Sequence, residues 1–165
     1  MQSGFPVAIV GDSKFLVDCC LGRASTDNPA LSKMLRVAHE ALQQLIVNFA
    51  AKCFSLRELM VHTPRGDNAA ADAAANRALD HGNFENTYLP ELGRFAEHLL
   101  SSSHDQVGLV FAFDGASRGN PGDASCGSCG WWGTWGTGGF DEKGLLFQRG
   151  HRLGTQTNNV AEVRG

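Results

Sequence analysis

The sequence predicts an α/β fold, a sheet flanked by helices, and three observations carry that prediction. Two short apolar runs, residues 5–10 and 107–113, read as strands buried on both faces, and each leads into an acid, Asp12 and Asp114. Between them Leu31, Met34, Leu35, Ala38, Leu42, Leu45, Ile46 and Phe49 recur at helical spacing, leaving Lys33, Arg36, Glu40, Gln43 and Gln44 largely outside that apolar face. Composition also changes along the chain: 14 of the 20 glycines and all three tryptophans fall in residues 107–165, so the two halves are unlike.

In chain order, the first strand ends at Gly11-Asp12-Ser13 and is followed by a short helix to about Cys20 and a polar loop. Asn28-Pro29 supplies the cap and the first-turn proline of the long helix. Residues 56–62 read as a second strand, and after Thr63-Pro64-Arg65-Gly66 the Ala-rich stretch 67–80 is a strong helix former. Residues 83–106, with Leu89, Leu92, Phe95, Leu99 and Leu100 before Ser101-Ser102-Ser103, read as a linker holding one short helix. After the strand at 107–113 comes a loop of Gly, Ser and Pro. Residues 131–135 and 145–152 then read as antiparallel strands joined through Gly138-Gly139 to Gly144. Thr157-Asn158-Asn159 reads as the cap of a helix barely begun at Gly165. The predicted division is 1–82, linker 83–106, and 107–165.

A length of 165 residues, 42% hydrophobic and 19% charged, suits one globular domain. Fourteen Lys and Arg against 17 Asp and Glu give a net charge of -3, which argues against a polybasic arm that binds by phosphate neutralisation alone. The acidic excess lies wholly in the linker, where Arg94 stands against Glu85, Glu91, Glu97 and Asp105. No apolar run approaches the ~18 residues of a membrane span, and Met1-Gln2-Ser3-Gly4-Phe5-Pro6 lacks the plan of a signal peptide. Five cysteines, an odd number, suit reduced thiols, so the expectation is an intracellular protein of cytoplasm or nucleus with no membrane partner.

In open sheets, ligands gather outside the carboxyl ends of adjacent parallel strands, which would bring Asp12 and Asp114 together. Two converging carboxylates repel unless a divalent cation neutralises them, and an all-oxygen set favours Mg2+ or Mn2+ over Zn2+. Taken singly, each acid reads as no more than the cap of a strand-to-loop turn. The surrounding motifs go further. Asp114-Gly115-Ala116-Ser117-Arg118-Gly119-Asn120-Pro121-Gly122 resembles the opening motif of the ribonuclease H family, a strand ending in the first metal-binding Asp. Thr157-Asn158-Asn159-Val160-Ala161-Glu162 is similar to the start of that family's first helix, whose Glu is the second ligand. Val10-Gly11-Asp12-Ser13 resembles the end of its fourth strand, with the third acid. His62-Thr63-Pro64-Arg65-Gly66-Asp67-Asn68-Ala69-Ala70-Ala71-Asp72 is similar to its final block, a mobile His ten residues before the last acid.

The blocks stand in permuted order. An ordinary member runs first Asp, Glu, third acid, His, last Asp; this chain runs Asp12, His62, Asp72, Asp114, Glu162. One reading is a circular permutant whose linker, reaching ~80 Å if extended, joins the old end to the old beginning. The other is a fragment cut across two tandem domains, as in a retroelement-type protein. On either reading the resemblance implies a mixed five-stranded sheet flanked by helices, with a truncated first helix. It further implies that Asp114, Glu162, Asp12 and Asp72 hold two Mg2+ ions, or Mn2+ in their place, ~4 Å apart for hydrolysis of the RNA strand of an RNA/DNA hybrid. His62 would shuttle a proton or aid product release. Asn120, Asn158, Asn159 and Ser117 would meet the hybrid, amides being able to pair with base edges and a 2'-OH; Asn120 also reads as a turn residue and Asn158 and Asn159 as cap residues. The alternatives are a catalytically impaired nucleic-acid-binding module or fragment of a larger tandem, retroelement-type protein, and a truncated product with no stable function of its own; the partner besides the hybrid would be a second copy that exchanges halves in a homodimer.

Other features have plainer readings. Cys126-Gly127-Ser128-Cys129 has redox or half-zinc spacing, but no further pair of ligands accompanies it. Trp131, Trp132 and Trp135 suit core filling better than base stacking. Lys14, Arg65 and Arg118 lie near the acids in sequence, either as phosphate contacts or as solvated loop charges.

Overall fold

A computed structural model describes residues 6–49, 59–101, 107–137 and 139–165. The side chains of Leu45, Ile46 and Phe49 and the first part of the strand expected at 56–62 lie outside the described set. The architecture is a six-stranded mixed sheet flanked by helices. Strand β1, Val7–Gly11, leads into helix α1, Lys14–Cys20, and helix α2, Pro29–Phe49; strand β2 is Met60–His62. A 3-10 turn, Arg65–Asn68, opens into helix α3, Ala69–His81, and is followed by strand β3, Phe84–Thr87, and helix α4, Leu89–Ser101. Strands β4, Val107–Gly119, β5, Gly122–Gly136, and β6, Gly139–Gln156, then precede helix α5, Asn158–Arg164.

The strand order is β2-β1-β4-β5-β6-β3. The two halves of the chain therefore share one sheet, joined where β1 pairs in parallel with β4 from Val7 opposite Leu109 to Gly11 opposite Phe113. Strands β4, β5 and β6 form an antiparallel meander. The five strands expected are corrected to six: the linker supplies β3, antiparallel to β6, with Phe84 opposite Gly150 and Thr87 opposite Phe147. Its four residues are an edge strand with no apolar alternation, held by the Glu85–Arg149 pair at 3.3 Å and by Arg77 over the Phe84 ring at 4.2 Å.

Side-chain alternation divides the sheet into two faces. One carries Val7 and Ile9 of β1, Met60 of β2, and Leu109, Phe111 and Phe113 of β4. These pack on Leu16, Val17 and Cys20 of α1, Leu31, Leu35 and Leu42 of α2, and Val163 of α5. Long helix α2 starts where the sequence predicts, with the Asn28 side chain accepting from the N–H groups of Ala30 and Leu31 at 3.0 and 3.1 Å. The other face is covered by α3, and here the alanine content has a packing reason. Ala71, Ala74, Ala75 and Ala78 are fully buried. A Cβ on Gly150 would come within 2.7 Å of the Ala74 carbonyl oxygen, and one on Gly127 within 2.6 Å of the Ala71 oxygen. Small residues on both sides let helix and sheet backbones nearly touch, and the Ser125 hydroxyl donates to the Ala75 carbonyl at 2.5 Å.

Asn68, just ahead of α3 and 1% exposed, donates from Nδ2 to the Phe113 carbonyl at 3.0 Å, tying the front half to the strand that carries Asp114. Asn68→Ala is expected to cost about 1–2 kcal/mol in a denaturant melt. The lower part of the usual range applies because Asn68 Oδ1 is itself unpaired. Among the described residues no helix is long and apolar enough to cross a membrane.

Candidate functional site

Four acids drawn from both halves of the chain line one polar cavity of about 210 Å³: Asp12, Asp72, Asp114 and Glu162, together with Arg65, Asn76, Gly115, Ser117 and Asn158. Each arrives by a different route. Asp12 is the residue after β1, and β1 lies beside β4. Asp114 lies within β4 rather than at its end, because the Gly- and Ser-rich stretch expected as loop continues as strand to Gly119, paired with β5 throughout. Asp72 sits in the first turn of α3. Glu162 is on α5, whose N-cap Thr157 accepts from the Val160 N–H at 3.4 Å. Helix α5 rests directly on Gly115, where a Cβ would come within 2.6 Å of the Ala161 carbonyl carbon.

Asp114 and Glu162 are 4% and 8% exposed, too buried for unpaired charges to be at ease. Asp114 Oδ1 accepts from the Gly115 N–H at 2.7 Å, but its Oδ2 has no partner. Glu162 Oε1 accepts from Asn158 Nδ2 at 2.5 Å, and its Oε2 likewise has none. Burial, then the Asp12 carboxylate, pushes Asp114 up to about 7, with the Gly115 N–H pulling back and the charges of Asp72 and Glu162 adding to the rise. Burial also raises Glu162, with the nearby Ser13 hydroxyl pulling it back, the Asp12 carboxylate adding to the rise, and the Asn158 amide and Arg65 charge lowering it. Asp72 is differently placed: Oδ1 faces Arg65 Nη2 at 3.3 Å and Oδ2 accepts from Asn76 Nδ2 at 3.0 Å.

The donor set fits a divalent cation: all oxygen, net negative, with one buried, unpartnered oxygen on each of the lining residues Asp114 and Glu162. Yet among the described residues no three His, Cys, Asp or Glu side chains are drawn close enough to hold an ion as they stand. The acids share a cavity without being gathered: Arg65 and Asn76 hold the oxygens of Asp72, the Gly115 N–H holds Asp114 Oδ1, and Asn158 holds Glu162 Oε1.

His62 lies at the end of β2, exposed, and its Nε2–H donates to the Asp12 carbonyl at 3.2 Å; it borders the acids but is not among the residues lining the cavity. Ser117 lines the cavity, its hydroxyl near the Gly119 and Gln156 carbonyls at 2.5 and 3.2 Å. Asn120 Oδ1 accepts from the Asn158 N–H at 3.2 Å, so the β4–β5 turn braces the start of α5; Asn159 is exposed. Lys14 pairs with Asp18 at 2.6 Å and Arg118 with Asp80, so among the described residues Arg65 is the basic side chain that lines the acidic cavity. Sequence reasoning missed Asn76 and Ser13. Asn76 stands one helical turn after Asp72, a spacing at which side chains meet and the one signal that would have found it.

A larger cavity of about 370 Å³ lies between α1, α2, α5 and the sheet, and Glu162 is among its lining residues too. Its lining is otherwise almost wholly apolar, without the convergent polar groups that chemistry requires. Cys126 and Cys129 are three apart in a strand and so point to opposite faces. Burial raises both thiols, Cys129 to about 11, which makes them inert packing residues. Trp132 is buried against the Phe95 and His98 rings of α4, with centroids 6.0 and 5.5 Å apart. No protein-family model, curated protein or solved structure matches the chain.

The raised Asp114 carboxyl has a sign that a melt can read. The folded group keeps its proton up to about 7 whereas the unfolded one releases it near 3.8, so folding takes up protons between these values. Asp114's contribution to stability is therefore present at low pH and lost as pH rises through that window. A divalent ion such as Mg2+ that bound the deprotonated acids would raise the melting temperature more at pH 8 than at pH 5.5. Equal shifts at both pH values would disconnect the ion from these carboxylates.

Proposed function

We propose that the chain is a Mg2+-dependent ribonuclease of the ribonuclease H type, hydrolysing the RNA strand of RNA/DNA hybrids at the acidic cavity. The observation that carries this reading is the convergence of Asp12 and Asp72 from the front half with Asp114 and Glu162 from the back half on one cavity. Those are the four acids the motif resemblance singles out. The parallel β1–β4 pairing adds support, because it sets the fourth-strand block beside the first-strand block.

Two divalent ions bound here would supply water activation and charge stabilisation at the leaving oxygen. The chain's own residues do the rest. Asp114 Oδ2 and Glu162 Oε2, buried and unpaired, are oriented before any ion arrives, and the Gly115 N–H and Asn158 amide fix the carboxylates' other oxygens. Asp12 and Asp72, more exposed, complete the ligand set from the front half. The β4–β5 turn with Asn120, Asn158 and the exposed Asn159 borders the cavity where a hybrid's minor groove would lie, offering amides to its 2'-OH groups. His62, outside the cavity and at the Asp12 backbone, is placed to exchange protons with solvent.

A second reading, a nucleic-acid-binding module that does not cleave, draws on the ungathered acids and the Arg65–Asp72 pair. Incubation of the purified protein with an end-labelled RNA/DNA hybrid, in Mg2+ or in EDTA, separates the two. Cleavage confined to RNA and abolished by EDTA is the expected result. Hybrid retained in a gel shift but left intact in Mg2+ and Mn2+ would favour the module.

A further inference from the structure

The four acids do not meet an incoming cation on equal terms. Asp114 and Glu162 each present a buried oxygen with no partner, whereas both oxygens of Asp72 are taken, one by Arg65 at 3.3 Å and one by Asn76 at 3.0 Å. The same Asn76 amide also donates to the Asp72 backbone carbonyl at 2.9 Å, which holds it to α3. Arg65 is held by much less. Its side chain is 81% exposed, it stands in the 3-10 turn that precedes α3, and its contact is to an acid that is itself 33% exposed. Such a pair is weak and easily exchanged. Arg65 also lines the cavity, and its charge reaches Glu162 as well as Asp72. A guanidinium among carboxylates does part of the electrostatic work that a cation would do there. The other two basic residues near the acids in sequence are engaged elsewhere, Lys14 with Asp18 and Arg118 with Asp80.

We propose that Arg65 is a built-in counter-cation of this site: it holds Asp72 away from the other acids, and a divalent ion must displace it to complete the ligand set. The inference rests on the metal-binding reading above and adds a competitor to it. Because ion and guanidinium exclude each other at Asp72, removing the guanidinium strengthens ion binding. An ordinary ligand-supporting residue would do the opposite. The displaced side chain, long and exposed, is then free at the mouth of the cavity where a substrate phosphate would approach, and Arg is suited to such a contact.

The test is calorimetric titration of the nucleic-acid-free protein with Mn2+ alone, comparing wild type, Arg65→Ala, Arg65→Lys and Arg118→Ala, with thermal melts to verify the fold of each. Arg65→Ala is expected to bind Mn2+ about two- to five-fold more tightly, the range that loss of an exposed ion pair allows. Arg65→Lys should fall between Arg65→Ala and wild type, and Arg118→Ala, whose partner Asp80 lies outside the cavity, should match wild type. Unchanged or weaker binding in Arg65→Ala overturns the competitor, as does equal tightening in Arg118→Ala, which would reduce the effect to net charge. If wild type and Arg65→Ala both fail to take up Mn2+, the metal reading itself falls and the competitor with it. Binding by wild type with no response to Arg65 removes only the competitor.

Discussion

Asp114→Asn is expected to abolish hybrid cleavage while making the metal-free protein more stable, two effects of opposite sign from one atom pair. Asp114 is 4% exposed, has an unpartnered Oδ2, and is pushed up to about 7 by burial and by Asp12. At pH 8 the wild-type carboxylate is ionised against the burial that raises it from 3.8 to about 7. This corresponds to on the order of 2–4 kcal/mol. The amide keeps an acceptor for the Gly115 N–H and turns donors toward the neighbouring carboxylates, so it removes the charge without removing the bond. As a metal ligand it is poor, and activity should fall by about 10²-fold or more. Melts at pH 8 and pH 5 separate this from a packing effect, since the stabilisation should shrink at pH 5, where the wild-type group is already protonated. Loss of activity with loss of stability at both pH values would instead make Asp114 a structural residue.

Gly127→Val carries the largest expected loss of stability. Gly127 lies opposite Asp114 on β5, and a Cβ there would run into the backbone of α3, within 2.6 Å of the Ala71 oxygen and 2.8 Å of the Ala74 carbonyl carbon. Backbone cannot rotate aside as a side chain can, so helix and sheet must separate. The cost should reach about 3 kcal/mol or more, roughly a 10 °C fall in melting temperature. Because Asp72 rides on the first turn of α3, the same shift should weaken Mn2+ binding in any protein that remains folded. Gly93→Ala is the contrast: Gly93 is exposed in the middle of α4, and a Cβ there would meet nothing within 4 Å, so alanine should stabilise slightly. The gain should be about 0.5–1 kcal/mol.

What could be read from the sequence, and what could not, divides by the range of the forces involved. Helices α1 and α2 and strand β1 were legible because their apolar spacing and the Asn28 cap act within a few residues. The acids were legible because each stands in a motif with its own local geometry. Strand β3 was not: Phe84, Glu85, Asn86 and Thr87 carry no strand pattern, and their conformation is imposed by β6, far along the chain. The same holds for the Gly- and Ser-rich part of β4 from Gly115 to Gly119, which reads as loop until β5 pairs with it. The reading of Cys126 and Cys129 turned on that point as well, since only the strand assignment places them on opposite faces. Motif spacing singled out the four acids but carried no information on their partners. The Arg65–Asp72 contact spans a 3-10 turn whose geometry fixes which side chain reaches Asp72.

We propose that acids from both halves of the chain serve the same cations. Anomalous scattering from a crystal soaked in Mn2+ is the decisive measurement. Mn2+ peaks are expected in the cavity with ligand oxygens from Asp114 or Glu162 together with Asp12 or Asp72, and Arg65 turned away from Asp72. Mn2+ bound to acids of one half alone, or ordered only on the surface while the cavity stays free of it, would overturn the shared site.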